Sequence, residues 1–72
     1  MPKLPVLSGQ DVRRVLECHG FKMLRQRGSH MVMQRPIASG TITIPVPDHS
    51  ELRTGTLRSI IRQSGLAVEE FR

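Results

Sequence analysis

The stretch RQRGSH, residues 25 to 30, places two arginines and a histidine around a Gly-Ser pair. Histidine exchanges a proton near neutral pH, so it is the side chain best suited to act as a general base. Arginine binds phosphate through a planar fork, and positive groups stabilise the charge that develops on a reacting phosphate. Such a set could cleave RNA without a metal: the base takes the proton of a 2′-hydroxyl, and that oxygen attacks the adjacent phosphate.

Each neighbour of His30 has a role in that chemistry. Gly28 permits a tight turn and a close approach of the RNA backbone, and Ser29 offers a hydroxyl to a phosphate. If the flanking residues form strands, Arg25 and Arg27 share one face that leads towards His30. The candidate phosphate-binding residues are Arg25, Arg27, Gly28 and Ser29, with Lys22 and Arg35 further along the same hairpin.

Other interpretations of the histidines are open. A lone histidine at the start of a strand is more often structural or merely exposed than catalytic, so His30 decides nothing by itself. His49 in Pro-Asp-His fits a loop better than a wall of an RNA groove, and His19 suits the negative end of a helix dipole. The spacing of Cys18 with these histidines matches no zinc signature, so we expect neither a metal nor another cofactor.

The composition of the chain indicates the number of domains, the kind of partner and the location that we expect. The chain has 72 residues, enough for one domain over 1–72. Its formal net charge is +5, and nine of the eleven basic residues are arginine, which favours a polyanion or an acidic protein as partner. A basic surface that serves only solubility is the alternative. With a single cysteine, no apolar run of membrane-helix length and no signal-peptide pattern, we expect a soluble cytoplasmic protein without a membrane partner.

The elements that must position these residues follow from periodicity. After an extended lead-in over 1–7, Ser8 and Asp11 predict the start of a helix over 9–19, which stops at Gly20. Strands are predicted over 21–27, 30–35 and 41–46, with a loop over 36–40. Pro45 lacks the donor that a central strand needs, so the third strand lies at an edge or ends there. A second helix is predicted between Thr54-Gly55 and Gly65, and a short helical turn over 68–71 lets Phe71 cap the core.

This order predicts an α+β fold, α-β-β-β-α, with two helices packed on one face of a three-stranded antiparallel sheet. It is the layout of the double-stranded RNA-binding domain. Met31 and Met33 share a strand face and either complete the core or form an apolar patch that a partner covers. The arginines of the second helix region either contact phosphate or form a solvated helix face; they are Arg53, Arg58 and Arg62.

Three stretches in this order resemble the HicA toxin family of bacterial and archaeal toxin–antitoxin pairs: FKMLRQRGSHMVM (21–33), IPVPDHSELRTGTLRSII (44–61) and GLAVEEF (65–71). Gly-Phe after the first helix, Gly-Ser-His, the proline-containing strand end before His49, and Gly-Thr-Leu-Arg in the second helix are the specific parts. The resemblance runs from Ser8 to Phe71. Pro45 and the 36–40 loop depart from the family pattern, which bears on the lengths of the second and third strands.

The resemblance implies a small endoribonuclease that cleaves messenger RNA and is silenced by a HicB antitoxin. It also implies that His30 is the catalytic residue. A second hypothesis remains: an RNA-binding module of the same fold without a catalytic step, or an inactivated toxin that only engages its partner. A pure binder has no need of a histidine next to Gly-Ser, so His30 is the residue that discriminates the two.

Overall fold

The structure is a computed structural model that describes residues 4–71. Its elements are α1 (Gly9–Cys18), β1 (Lys22–Arg27), β2 (His30–Ile37), β3 (Gly40–Pro47), α2 (Thr54–Ser64) and a 3-10 helix (Val68–Phe71). The strands form one antiparallel sheet in the order β1-β2-β3, and both helices pack against it. The predicted α-β-β-β-α order is confirmed, and the architecture agrees with the double-stranded RNA-binding fold.

Helix α1 begins with the predicted capping box. The Asp11 backbone N–H donates to Ser8 Oγ at 3.0 Å, and the Ser8 backbone N–H donates to Asp11 Oδ2 at 3.0 Å. This backbone hydrogen bond, together with the Arg14 guanidinium at 2.7 Å, holds the pKa of the Asp11 carboxyl below its usual value of 3.8. Because the folded-state pKa is lowered, Asp11 stabilises the fold above pH 3.8 and loses that effect as the pH falls through the lowered pKa.

Replacement of Ser8 by alanine tests the cap. We expect the free energy of unfolding to fall by about 1 kcal/mol, because the substitution removes the acceptor of the Asp11 N–H. Urea unfolding at neutral pH measures the loss. Ser50→Ala is the matched control, since Ser50 is exposed and its hydroxyl makes no hydrogen bond to residues 4–71. Equal midpoints for the two variants would show that the cap contributes nothing.

The sheet has one face towards the helices and one towards solvent. Met31 and Met33 of β2 point towards the helices and are fully buried, so the core interpretation holds for both. Phe71 is 1% exposed and closes the core from the C-terminal side, as predicted. The core consists of Val12, Leu16, Phe21, Met31, Met33, Ile44, Val46, Leu52, Leu57, Ile60 and Phe71.

Strands β2 and β3 are longer than predicted. The expected 36–40 loop shrinks to a turn at Ala38-Ser39, because the strands pair from His30↔Pro47 to Ile37↔Gly40. Pro36 fits a strand because β1 pairs only as far as Gln34, which leaves β2 with one neighbour there. β3 lies at the sheet edge, as Pro45 predicted, and an edge strand tolerates proline.

The segment before α1 pairs with the loop between β3 and α2. The Leu52 N–H donates to the Leu7 carbonyl at 2.8 Å, and the Gly9 N–H donates to the His49 carbonyl at 2.9 Å. Residues 4–7 carry neither helix nor strand, and the first three residues of the predicted lead-in lie outside the described residues. Within 4–71, no helix has both the length and the apolar content to span a bilayer.

Candidate functional site

His30 is the first residue of β2 and closes the turn from β1. Gly28 and Ser29 form this two-residue turn, and Gly28 has a φ of 58°, the left-handed value that hairpin turns of this length require at their first position. Arg27 lies directly opposite His30 across the β1–β2 pair, and Pro47 lies opposite it on β3. The side chain of His30 is exposed, so a substrate can reach it.

We call the solvent side of the sheet the open face. Residues opposite one another in an antiparallel pair point to the same side, so the register assigns each strand position to a face. A bulge between Met23 and Arg25 shifts that register by one residue. With the shift, Arg25 lies opposite Val32 and Arg27 opposite His30. The open face therefore carries Lys22, Arg25, Arg27, His30, Val32, Gln34, Pro36, Thr41, Thr43, Pro45 and Pro47.

The open face is positively charged without internal compensation. The three strands, all within the described residues, contain no acidic side chain. The ion pairs found among residues 4–71 both lie on α1: Arg13–Glu17 and Arg14–Asp11. His19 Nε2 lies 3.1 Å from a Glu70 carboxylate oxygen at the end of the same helix. Arg25 and Arg27 are thus exposed guanidinium groups without a carboxylate partner in this part of the chain, which leaves their forks available to an anion.

Two other candidate phosphate-binding residues occupy different positions. Lys22 shares the open face but pairs with Gln34, about 13 Å along β2 from His30 at the usual rise of a strand. Arg35 points to the helix side instead. Its guanidinium lies 5.4 Å from the centre of the Phe21 ring and donates to the His19 carbonyl at 3.2 Å. The structure therefore brings Arg25 and Arg27 together with His30, and places Arg35 on the opposite face.

A cleft of about 400 Å³ lies beside His30, between β3 and α2. We call it the β3–α2 cleft. One wall is formed by His30, Pro45 and Pro47; the other is formed by the α2 residues Gly55, Thr56, Ser59, Ile60 and Gln63. Sequence reasoning missed the α2 wall, because hydroxyl and amide side chains on a helix are indistinguishable from an ordinary solvated face until the packing of that helix is known.

Comparison with known proteins gives the family. A family model described as "HicA toxin of bacterial toxin-antitoxin" matches residues 9–66, from the first residue of α1 to just beyond α2. The chain belongs to the HicA toxin family. None of the curated proteins compared with the chain matches it. Membership makes this chain the toxin side of a toxin–antitoxin system and implies an antitoxin as partner.

In this HicA chain, Asp48 ties the Gly-Ser turn to the rest of the fold. Its backbone N–H donates to the Ser29 carbonyl at 2.6 Å. Its carboxylate accepts from the Gln10 amide of α1 at 3.1 Å and from the Gln26 amide of β1 at 3.2 Å. The two glutamines fix the loop that follows β3, and that loop fixes the turn before His30. One feature of the sequence could have indicated this role: Asp48 is an acidic residue directly between Pro47 and His49 in a predicted loop.

The remaining polar candidates lie away from this arrangement. His49 is exposed in the loop between β3 and α2, where the sequence predicted a loop histidine. Cys18 and the three histidines form no group of three that could hold a metal ion, nor do other ligating side chains among residues 4–71. The three arginines in and before α2 are exposed: Arg53, Arg58 and Arg62. The side chain of Arg53, at the N-cap of α2, makes no capping hydrogen bond.

Proposed function

We propose that this HicA family member is a metal-independent endoribonuclease that cleaves messenger RNA, with His30 as its catalytic residue. The observation that carries the proposal is the open face: an exposed histidine lies directly opposite one unpaired arginine, and a second arginine follows on the same side of β1. A general base next to free guanidinium groups is what cleavage through the 2′-hydroxyl requires.

His30 acts as the general base in this mechanism. Its imidazole takes the proton of a 2′-hydroxyl, and the oxygen forms a bond to the adjacent phosphorus. The bond from phosphorus to the 5′-oxygen of the next nucleotide breaks, and that oxygen takes up a proton from the protonated imidazole or from water. The products are a 2′,3′-cyclic phosphate and a free 5′-hydroxyl.

The surrounding residues hold the phosphate and the turn. Arg27 and Arg25 donate hydrogen bonds to the non-bridging oxygens, where charge accumulates in the transition state. Gly28 and Ser29 orient the turn, and the Ser29 hydroxyl is exposed to solvent at the approach to His30. Lys22 contacts the RNA backbone further along the open face. Arg35, on the helix side, supports the site through its packing on Phe21 and its hydrogen bond to the His19 carbonyl.

We further propose that residues 1–72 form a single toxin domain whose partner is a HicB-type antitoxin. A formal charge of +5 and an open face free of acidic residues are complementary to an acidic protein as well as to RNA. An antitoxin that covers the open face would exclude the substrate from His30. Because messenger RNA is the proposed substrate, the place of action is the cytoplasm.

Incubation of the purified chain with a messenger RNA in excess chelator tests the proposal. We expect cleavage to persist, since no step uses a metal, and we expect products that end in a 2′,3′-cyclic phosphate and begin with a 5′-hydroxyl. Mass spectrometry of the fragments identifies both ends.

Three results would contradict the proposal. Cleavage that stops with chelator, or fragments that begin with a 5′-phosphate, would point to a different mechanism. A chain that shifts structured RNA in a gel but leaves it intact would be an RNA-binding module without a catalytic step.

A further inference from the structure

The α2 wall of the β3–α2 cleft presents a set of hydrogen-bonding groups. Thr56, Ser59 and Gln63 recur at intervals of three and four residues, so they lie along one side of the helix. The Gln63 Nε2 donates to Ser59 Oγ at 3.0 Å, which brings the amide and the hydroxyl side by side on the helix surface. Within residues 4–71 this bond leaves the Gln63 carbonyl oxygen, its second amide hydrogen and the Ser59 hydroxyl hydrogen free for a ligand.

Apart from His30, the opposite wall is apolar and consists of Pro45 and Pro47 of the edge strand β3. Ile60 is the apolar residue of the α2 wall. The cleft thus lies between two apolar proline residues of the edge strand and a polar helix side, and its volume of about 400 Å³ lies in the range of small-ligand sites. A nucleobase has the matching shape, with apolar faces and an edge of hydrogen-bond donors and acceptors.

Among the described residues no aromatic ring is exposed for a base to stack on. Proteins that bind single-stranded RNA commonly stack bases on exposed aromatic rings. This sequence has no tryptophan or tyrosine, and its two phenylalanines, Phe21 and Phe71, are 2% and 1% exposed. Base contacts on this molecule must therefore come from non-aromatic groups, and the β3–α2 cleft brings such groups together beside His30.

We infer that the β3–α2 cleft binds the nucleobase of the nucleotide whose 2′-hydroxyl reacts, and that Gln63 determines which base is preferred at the cleavage site. The inference rests on the proposed ribonuclease function, because it takes His30 as the reacting end of the cleft. His30 lines the same cleft, so a base bound there lies beside the proposed catalytic residue. The Gln63 amide, which keeps one acceptor and one donor after its bond to Ser59, makes two hydrogen bonds to the base edge.

Titration of the isotope-labelled chain with the four nucleoside 3′-monophosphates, followed by NMR, tests the inference. Each probe carries a base, a 2′-hydroxyl and a phosphate but no bond to cleave. We expect the Gln63 side-chain amide and the Ser59 backbone resonance to shift on binding, with affinities that differ among the bases. Gln63→Ala should reduce that difference by about tenfold, the discrimination that a pair of base-edge hydrogen bonds provides.

Arg62→Ala is the matched control, since Arg62 is the exposed neighbour of Gln63 on α2 and does not line the cleft. It should leave the ranking of the four bases unchanged. The spectra also show directly whether each variant is folded.

The inference is overturned if no probe shifts the Gln63 and Ser59 resonances, or if Gln63→Ala leaves the ranking of the bases as it was. These outcomes are separate from the chelator assay. If the chain cleaves RNA but Gln63→Ala does not change the ranking of the four bases, the proposed ribonuclease function stands and the proposed base site is wrong. If the chain does not cleave RNA but its ranking of the four bases depends on Gln63, the proposed base site stands and the proposed catalytic function is wrong.

Discussion

Replacement of His30 by alanine is expected to lower the rate of RNA cleavage by about 10²- to 10⁴-fold, the contribution of a positioned general base. Arg25, Arg27 and the Gly-Ser turn stay in place, because His30 is exposed and its backbone pairing with Arg27 does not depend on its side chain. The rate constant for cleavage of a defined RNA under single-turnover conditions measures the effect. Expression without antitoxin should arrest growth with the wild-type chain and not with the variant.

His49→Ala is the matched control for this experiment. His49 is likewise an exposed histidine, and within residues 4–71 it takes part in hydrogen bonding only through its backbone carbonyl, which accepts from the Gly9 N–H. Its replacement should leave the rate within a few-fold of wild type. The His30→Ala chain should still bind RNA, with an affinity that falls as salt is raised, because the phosphate contacts come from the arginines. Equal cleavage by the His30→Ala chain and the wild type would show that another residue moves the proton.

Local signals in the sequence were enough to predict the elements. The Ser8–Asp11 box, the alternation of Ile42, Ile44 and Val46, and Gly28-Ser29 between two strands each act within a few residues, and each produced the predicted structure. The ends of β2 and β3 were not predicted. They depend on which neighbour is present opposite Pro36 and Pro45, and that is a property of the assembled sheet.

The candidate site was predictable only in part. Arg25, Arg27 and His30 belong to one hairpin, so strand alternation alone placed them on one face. Arg35 also belongs to that hairpin, but alternation puts it on the other side of β2 from His30, where Phe21 and the end of α1 receive it.

Asp48 and the α2 wall contribute to the site through contacts between residues that are far apart in the chain. Gln10 donates to Asp48 across 38 positions, and Gln63 lies on an element whose docking on β3 no local pattern determines. A catalytic residue inside a short motif can be found from sequence, whereas the groups that hold it and shape the space beside it depend on tertiary contacts.

Gly9→Ala is expected to destabilise the fold by about 3 kcal/mol, the upper part of the range for forced overpacking. A β-carbon on Gly9 would lie far inside van der Waals contact with the Pro47 carbonyl oxygen and 3.0 Å from the Asp48 α-carbon. Both are backbone atoms, so no side chain can rotate to make room. A thermal unfolding curve followed by circular dichroism should show a Tm lower by roughly 15 °C for a domain of this size.

The same substitution should also lower cleavage at temperatures where the variant is still folded. Gly9 holds the loop after β3 through its N–H to the His49 carbonyl, and Asp48 in that loop holds the Ser29 carbonyl. Pushing the loop away from α1 therefore releases the turn that precedes His30. Gly55→Ala is the control for the stability measurement only: it lies in the first turn of α2, where an added β-carbon meets no atom of residues 4–71 within 4 Å, and should raise stability by about 0.5 kcal/mol. If Gly9→Ala unfolded at the same temperature as Gly55→Ala, the close approach of α1 to Pro47 would not be what holds this loop beside the turn.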